Sequence, residues 1–331
     1  MSESKLHDAA IVIDGLVVSR WSRQIFEDMH RGGLTAANCT CSIWEGMRGT
    51  MLNIARWKQN FAEHADIIMP VRSAADIRAA KQQGKVGIIL GWQNTSGIED
   101  RLDLLPIYKE LGVGVMQLTY NTQNLVGSGC WEDRDGGLSG FGREAIDAMN
   151  RLGILVDLSH VGSKTSSDAI ACSKRPCAYT HVAPAGAFDH PRNKSDAQLR
   201  EIVDRGGFVG VAIYPPFMKT GKDTGLDDCV DLFEYMLAIC GEGNIGIGTD
   251  FTQGHDEAFF DWLRQDKGYA RRANPGRGKA PFVKGLDTLA DYPRLTLAME
   301  RRGWKETRIR AVLGENWLRF LGESWREGAQ G

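Results

Sequence analysis

The sequence has no surplus of charge of either sign, no long apolar run and no paired cysteines. Forty lysines and arginines face 42 aspartates and glutamates, a formal net charge of −2. Without a basic excess or a long basic cluster, nothing is provided to neutralise a phosphate backbone, so nucleic acid is not an expected partner. No stretch of about 18 uncharged apolar residues occurs, so no membrane partner is expected. The opening MSESKLHDAAIVIDG lacks the basic start, apolar centre and small-residue cleavage site of a secretory leader, and the expected location is the cytoplasm. The cysteines Cys39, Cys41, Cys130, Cys172, Cys177, Cys229 and Cys240 are odd in number, scattered and free of C-x-x-C spacing. Free thiols are expected from them, and a cysteine zinc site is not.

What is present is a recurring alternation. Short apolar runs stand at Ala10–Asp14, Leu34–Ile43, Val86–Trp92, Val113–Tyr120, Ile154–His160, Cys177–His181, Phe208–Tyr214 and Ile245–Phe251. Between them lie stretches of helical period, such as SAADIRAAKQQG with Gly84 as its stop, GREAIDAMNRLG, SKTSSDAIACSK, and SDAQLREIVDRGG opening on the N-cap candidate Ser195. Strands apolar on both faces and separated by helices predict a parallel sheet, because parallel neighbours need a crossover. Eight such units predict a (β/α)8 TIM-type barrel in a single domain over residues 1–331, closed by helices between Leu286 and Leu321. A doubly wound sheet would want a glycine-rich phosphate turn after its first strand, and DGLVVSRW supplies only Gly15. Residues 254–281, dense in glycine and charge, read as a long excursion after the eighth strand.

In such a barrel chemistry gathers at the C-terminal strand ends. The run LVDLSHVG ends at His160, CAYTH ends at His181, and IGIGTDF carries Asp250. Two imidazoles on adjacent strands can approach one ion from the same side. Asp250 can join them as a ligand or act as a general base. His7, His30, His64, His190 and His255 have no comparable placement and are expected at the surface.

VIDG, GFGREAIDAMNRLGILVDLSHV, YTH, HPRNKSDAQL, VGIGTDF and GENWLRF together resemble the membrane (renal) dipeptidases of the amidohydrolase superfamily, zinc enzymes on a (β/α)8 barrel. The resemblance runs from Ile11 to about Leu321. It implies a zinc-binding role for His160 and His181, a metal and proton-transfer role for Asp250, and a substrate-carboxylate role for Arg192. Asn193, beside Arg192, and Tyr120 are expected to contact the substrate. Homo-oligomerisation is implied by the resemblance alone. Set on the family's barrel, strand alternation sends Asn38, Thr40 and Ser42 inward and leaves Cys39 and Cys41 as structural thiols.

The departures from the family pattern fall in one place. The family's first strand ends Asp-Gly-His-x-Asp, whereas here Asp14 and Gly15 are followed by Leu16, Val17 and Val18. Leu16 and Val18, two residues apart, are expected to point the same way, where the family grips its first zinc. Gln93 stands at the place of the bridging glutamate, and Tyr120 at that of a histidine near the reacting centre. Without carboxylates between them two dications repel strongly, so one zinc ion at most, or none, is expected, with Gln93 a weak candidate ligand beside His160, His181 and Asp250. In a metal-free site Asp250 serves as base and Tyr120 as hydrogen-bond donor. The expected activity is dipeptidase-like hydrolysis of a small amide bearing a carboxylate. A non-catalytic binding protein, or a lyase or isomerase with Asp250 as base, are the alternatives.

Overall fold

The computed structural model describes residues 4–325. Nine parallel strands are assigned among them: β1 (Ile13–Val17), β2 (Ala36–Ser42), β3 (Ile68–Pro70), β4 (Val86–Trp92), β5 (Val113–Gln117), β6 (Leu155–Asp157), β7 (Ala178–Val182), β8 (Phe208–Val211) and β9 (Ile245–Ile247). Eight of them close a ring, because β2 pairs with β4 as well as β1, and β9 returns to β1. This is the expected (β/α)8 barrel.

β3 is an addition to the eight expected strands and lies outside the ring. It pairs only with the first residues of β4, Val86 to Ile88, below the level at which β5 joins at Leu90 to Trp92. A strand of three residues carries too little alternation to be seen in sequence. The excursion after β9 also holds more order than its composition suggests. A helix spans Glu257–Arg264, capped by the Asp256 side chain on the Phe259 amide.

Local signals elsewhere formed as their chemistry dictates. The helix Ala74–Gln83 starts on a Ser73–Asp76 capping box and stops at Gly84 in the left-handed conformation. Ser195 caps Asp196–Asp204 through a second box with Gln198. Among the described residues no helix is long and apolar enough to cross a membrane.

Alternation along the strands divides the core into two layers. Ile88, Leu90, Cys39 and Cys41 face the surrounding helices, and Ile89, Val115, Leu155 and Phe208 face inward. Both layers are buried, which is why the strands read as unbroken apolar runs. The lower end of the interior is stoppered by the helix Asn316–Ser324. Its Trp317 enters where Gly15 and Gly246 leave room, since a Cβ on either would come within 2.6 Å of the indole. The indole donates to the Ile247 carbonyl at 2.8 Å and packs on Phe208 at 4.2 Å between ring centres. The barrel is therefore open only at its C-terminal mouth.

Candidate active site

Two buried aspartates shape the mouth without entering it. Asp157, on β6, accepts from the Thr180 amide and hydroxyl at 3.0 and 2.7 Å and from the Ser159 hydroxyl at 2.6 Å. Asp14, on β1, repeats the device across the barrel. It takes the Thr249 amide at 2.9 Å and the hydroxyls of Thr249 and Tyr292. Each clamps a threonine, and the next residue is His181 in one case and Asp250 in the other. Burial pushes both carboxyls above the usual range, with these hydrogen bonds opposing it.

His160 and His181 meet, with their Nε2 atoms 3.0 Å apart. Burial, helped by the Arg192 charge, lowers both imidazoles well below their ordinary value, so the pair is neutral. The Thr180 hydroxyl donates to Asp157, so it accepts from His181 Nδ1 at 2.8 Å, which leaves a lone pair on His181 Nε2. His160 Nδ1 lies 2.8 Å from Asn121 Oδ1 and donates to it, which leaves the lone pair of His160 on Nε2, facing that of His181. Tyr120 lies against His160, ring centres 4.2 Å apart and planes at 26°. Burial raises its phenol, so it stays protonated and available as a donor.

Asp250 and Arg192 open onto the same cavity of about 330 Å³, whose walls also include Gln93, Tyr120, His160 and Trp131. Asp250 has a left-handed backbone, φ 60°, tolerable for aspartate and often found where a side chain must be aimed at a site. Its carboxylate has no hydrogen-bond partner among the described residues. Burial, reinforced by Asp14 and opposed by Arg192, pushes its pKa up to about 6. Arg192 is 2% exposed. It spends one nitrogen on the Ser159 carbonyl at 2.5 Å and another on the His181 carbonyl at 3.1 Å, tying the ends of β6 and β7 together. Its buried Nε has no partner among the described residues.

Two expected site residues lie elsewhere. Asn193 does not line the cavity, because its amide donates to the Phe188 and Phe217 carbonyls at 2.8 and 3.0 Å and so braces the loop that carries Arg192. Leu16 is buried but off the cavity wall, whereas Val18 is on it. Val18 packs with Ile43 and Tyr120 in an apolar cluster.

The donors at the mouth suit a zinc ion only in part. The histidine pair alone passes, since ligands of one tetrahedral zinc stand roughly 3.3 Å apart. The rest fails: among the described residues no three His, Cys, Asp or Glu side chains are grouped to hold a metal. Asp250 is thus not gathered with the histidines. Gln93 directs its amide nitrogen to the Thr40 hydroxyl at 2.9 Å, and Val18 offers only methyl groups. A catalytic zinc wants three protein ligands, so the residues present do not fit it. Elemental analysis of the purified protein is expected to find well under one tightly held zinc per chain. Gln93→Glu with Val18→Asp should raise that stoichiometry; a full complement in the unchanged protein would contradict this account.

Several buried or half-buried side chains, not all of them at the mouth, gave no sequence signal. His190, expected at the surface, is half-buried on the cavity wall. His7 is fully buried, bound to Thr296 and to the Gly32 carbonyl at 2.7 and 2.8 Å. His255 is half-buried and stacked on Phe259. Lys194, whose pKa burial lowers to about 8, ties to the Val161 carbonyl at 2.5 Å behind the site. Arg264, at the end of the helix in the excursion, lines the cavity as well.

A parallel barrel with paired histidines, an aspartate and an arginine at its C-terminal mouth is an amidohydrolase-type barrel. The chain belongs to the membrane dipeptidase family, peptidase family M19, whose model matches residues 22–264 and 276–329. It is similar to an amidohydrolase from Pseudomonas aeruginosa, 53% identical, with 97% of this chain and 98% of that one covered at a TM-score of 0.94. A metallo peptidase from Rhodobacter sphaeroides, liganded with a phosphinate mimic of L-Ala-D-Ala, shares the fold at 20% identity and a TM-score of 0.81, covering 96% of this chain and 100% of that one. An uncharacterized dipeptidase of Schizosaccharomyces pombe is 31% identical over 73% of this chain, and dipeptidase aclJ of Aspergillus oryzae 27% over 85%. The chain spans only 54% and 62% of the lengths of these two relatives.

Proposed function

We propose that the protein hydrolyses a small amide bearing a free carboxylate, with Asp250 as general base and no step carried by a metal. The observation behind this is an unpartnered, buried carboxylate of raised pKa in the same cavity as a buried guanidinium. Arg192 holds the substrate carboxylate, the planar fork being suited to that group. The Asp250 carboxylate takes a proton from water, whose oxygen bonds to the amide carbon. The Tyr120 phenol donates to the oxyanion that develops. As the C–N bond breaks, the proton on Asp250 passes to the leaving nitrogen. The apolar cluster of Val18, Ile43 and Tyr120 favours a second reading, binding without turnover, since it occupies the wall where the resemblance places the first zinc.

The test is a panel of dipeptides and N-acetyl amino acids, followed by chromatography for turnover and by calorimetry for binding. Saturable binding with no product from any of them would leave the second reading. Arg192→Lys keeps the charge but loses the fork and at least one carbonyl brace. Affinity for N-acetylalanine is expected to fall about 10- to 100-fold, the worth of a hydrogen bond to a charged group. The thermal midpoint must be read alongside, because Arg192 also ties two strands. Unchanged affinity would remove Arg192 from the binding role.

A further inference from the structure

The arginine that no motif announced indicates what else the substrate carries. Arg264 ends the helix Glu257–Arg264, and its side chain is 11% exposed. Its Nη1 is buried with no hydrogen-bond partner among the described residues. The nearest carboxylate, Asp261, is 3.9 Å away, half-exposed, and already bonded to Arg272 at 3.0 Å. The guanidinium lies over the Phe260 ring at 5.6 Å, which positions it without neutralising it. An arginine does not shed its proton, so a buried one needs an anion.

The cavity does not supply enough negative charge. Arg192 and Arg264 both line it, and both are near enough to act electrostatically on the phenols of Tyr120 and Tyr214, which burial keeps neutral. His190, also on the wall, is lowered by burial and adds no positive charge. Asp250 is the one carboxylate on the cavity wall among the described residues. Two fixed positive charges therefore face a single carboxylate that catalysis also uses. The two arginines sit on different walls, one on the loop after β7 and one on the excursion after β9. Beyond Arg264 the wall is completed by Asn274 and Pro275, in the segment between the two stretches that match the family.

We infer that the substrate carries two acidic groups: the carboxylate taken by Arg192 and a second, on the side chain, taken by Arg264. The chemical class is an N-acyl or dipeptide-like amide of an acidic amino acid. This rests on the proposed function for the Arg192 half and goes beyond it for the Arg264 half. Arg264 is a specificity residue and takes no part in the bond-breaking step.

Calorimetry with N-acetylaspartate, N-acetylglutamate and N-acetylalanine tests it, on the full chain and on Arg264→Gln, with Arg264→Lys as the conservative variant. At least one acidic ligand is expected to bind tenfold or more tighter than N-acetylalanine. Arg264→Gln should cost that ligand at least tenfold more than it costs N-acetylalanine, and Arg264→Lys should restore part of the difference. Equal losses for acidic and neutral ligands, or no preference in the unchanged protein, would overturn the inference. Arg192→Lys separates the two readings. If it weakens N-acetylalanine while the Arg264 variants show no acidic preference, only the second acidic group fails; if it weakens nothing, the carboxylate anchor itself fails. A thermal melt of each variant confirms that it is folded.

Discussion

Asp250→Asn is expected to lower turnover roughly 10²- to 10⁴-fold, the usual worth of a general base, while making the protein more stable at pH 8. The two effects share one cause. Burial without a hydrogen-bond partner raises the Asp250 pKa to about 6, so above that pH the folded protein holds a charge it solvates poorly. A carboxyl whose pKa is raised by folding favours the folded state while protonated, below about pH 4, and that contribution is lost as the pH climbs through about 6. The isosteric amide carries no such charge. Its stability gain should be small near pH 4, grow towards pH 6 and level off above pH 7, at about 2–3 kcal/mol. Urea unfolding at a series of pH values reads this without any substrate. In the unchanged enzyme kcat/KM should rise through pH 6. A variant with normal turnover, or a gain that does not vary with pH, would remove Asp250 from the role given to it.

Trp317→Ala is expected to cost about 3–5 kcal/mol, the range for truncating a buried large aromatic. The indole is 2% exposed, fills the lower end of the barrel and holds the Ile247 carbonyl at 2.8 Å. The two glycines that admit it have no side chains to collapse into the space left. Denaturant midpoints measure the loss, and a cost below about 1 kcal/mol would mean that the stopper relaxes without it. The ligand cavity is at the other end of the barrel, so calorimetry on the folded variant should show an affinity for N-acetylalanine close to that of the unchanged protein.

The barrel was legible because its signal is one-dimensional. Strands buried on both faces are continuous apolar runs, and eight of them spaced by helical stretches leave few topologies. The strand ends were legible for the same reason: His160, His181 and Asp250 each follow an apolar run at its C-terminal edge. The departures at Val18 and Gln93 were visible as residue types. What alternation could not settle was aim. Leu16 and Val18 stand two apart, yet only Val18 reaches the cavity, and the register of β1 slips between Asp14 and Val17. Asn193 neighbours Arg192 in sequence, but its amide is claimed by two loop carbonyls.

The sequence by itself determined the class of fold and the residues at the strand ends, because each is set by residue type and local period, and its resemblance to the dipeptidases marked where their zinc-site carboxylates are missing. Only the tertiary structure decided that the histidines pair with each other apart from Asp250, and that Arg192 braces two strands while facing the cavity. It alone brought Arg264, far along a charged excursion, into the same cavity. These are contacts between segments distant in the chain, where burial and unmet hydrogen bonds set the chemistry, and neither can be read until the chain has closed on itself.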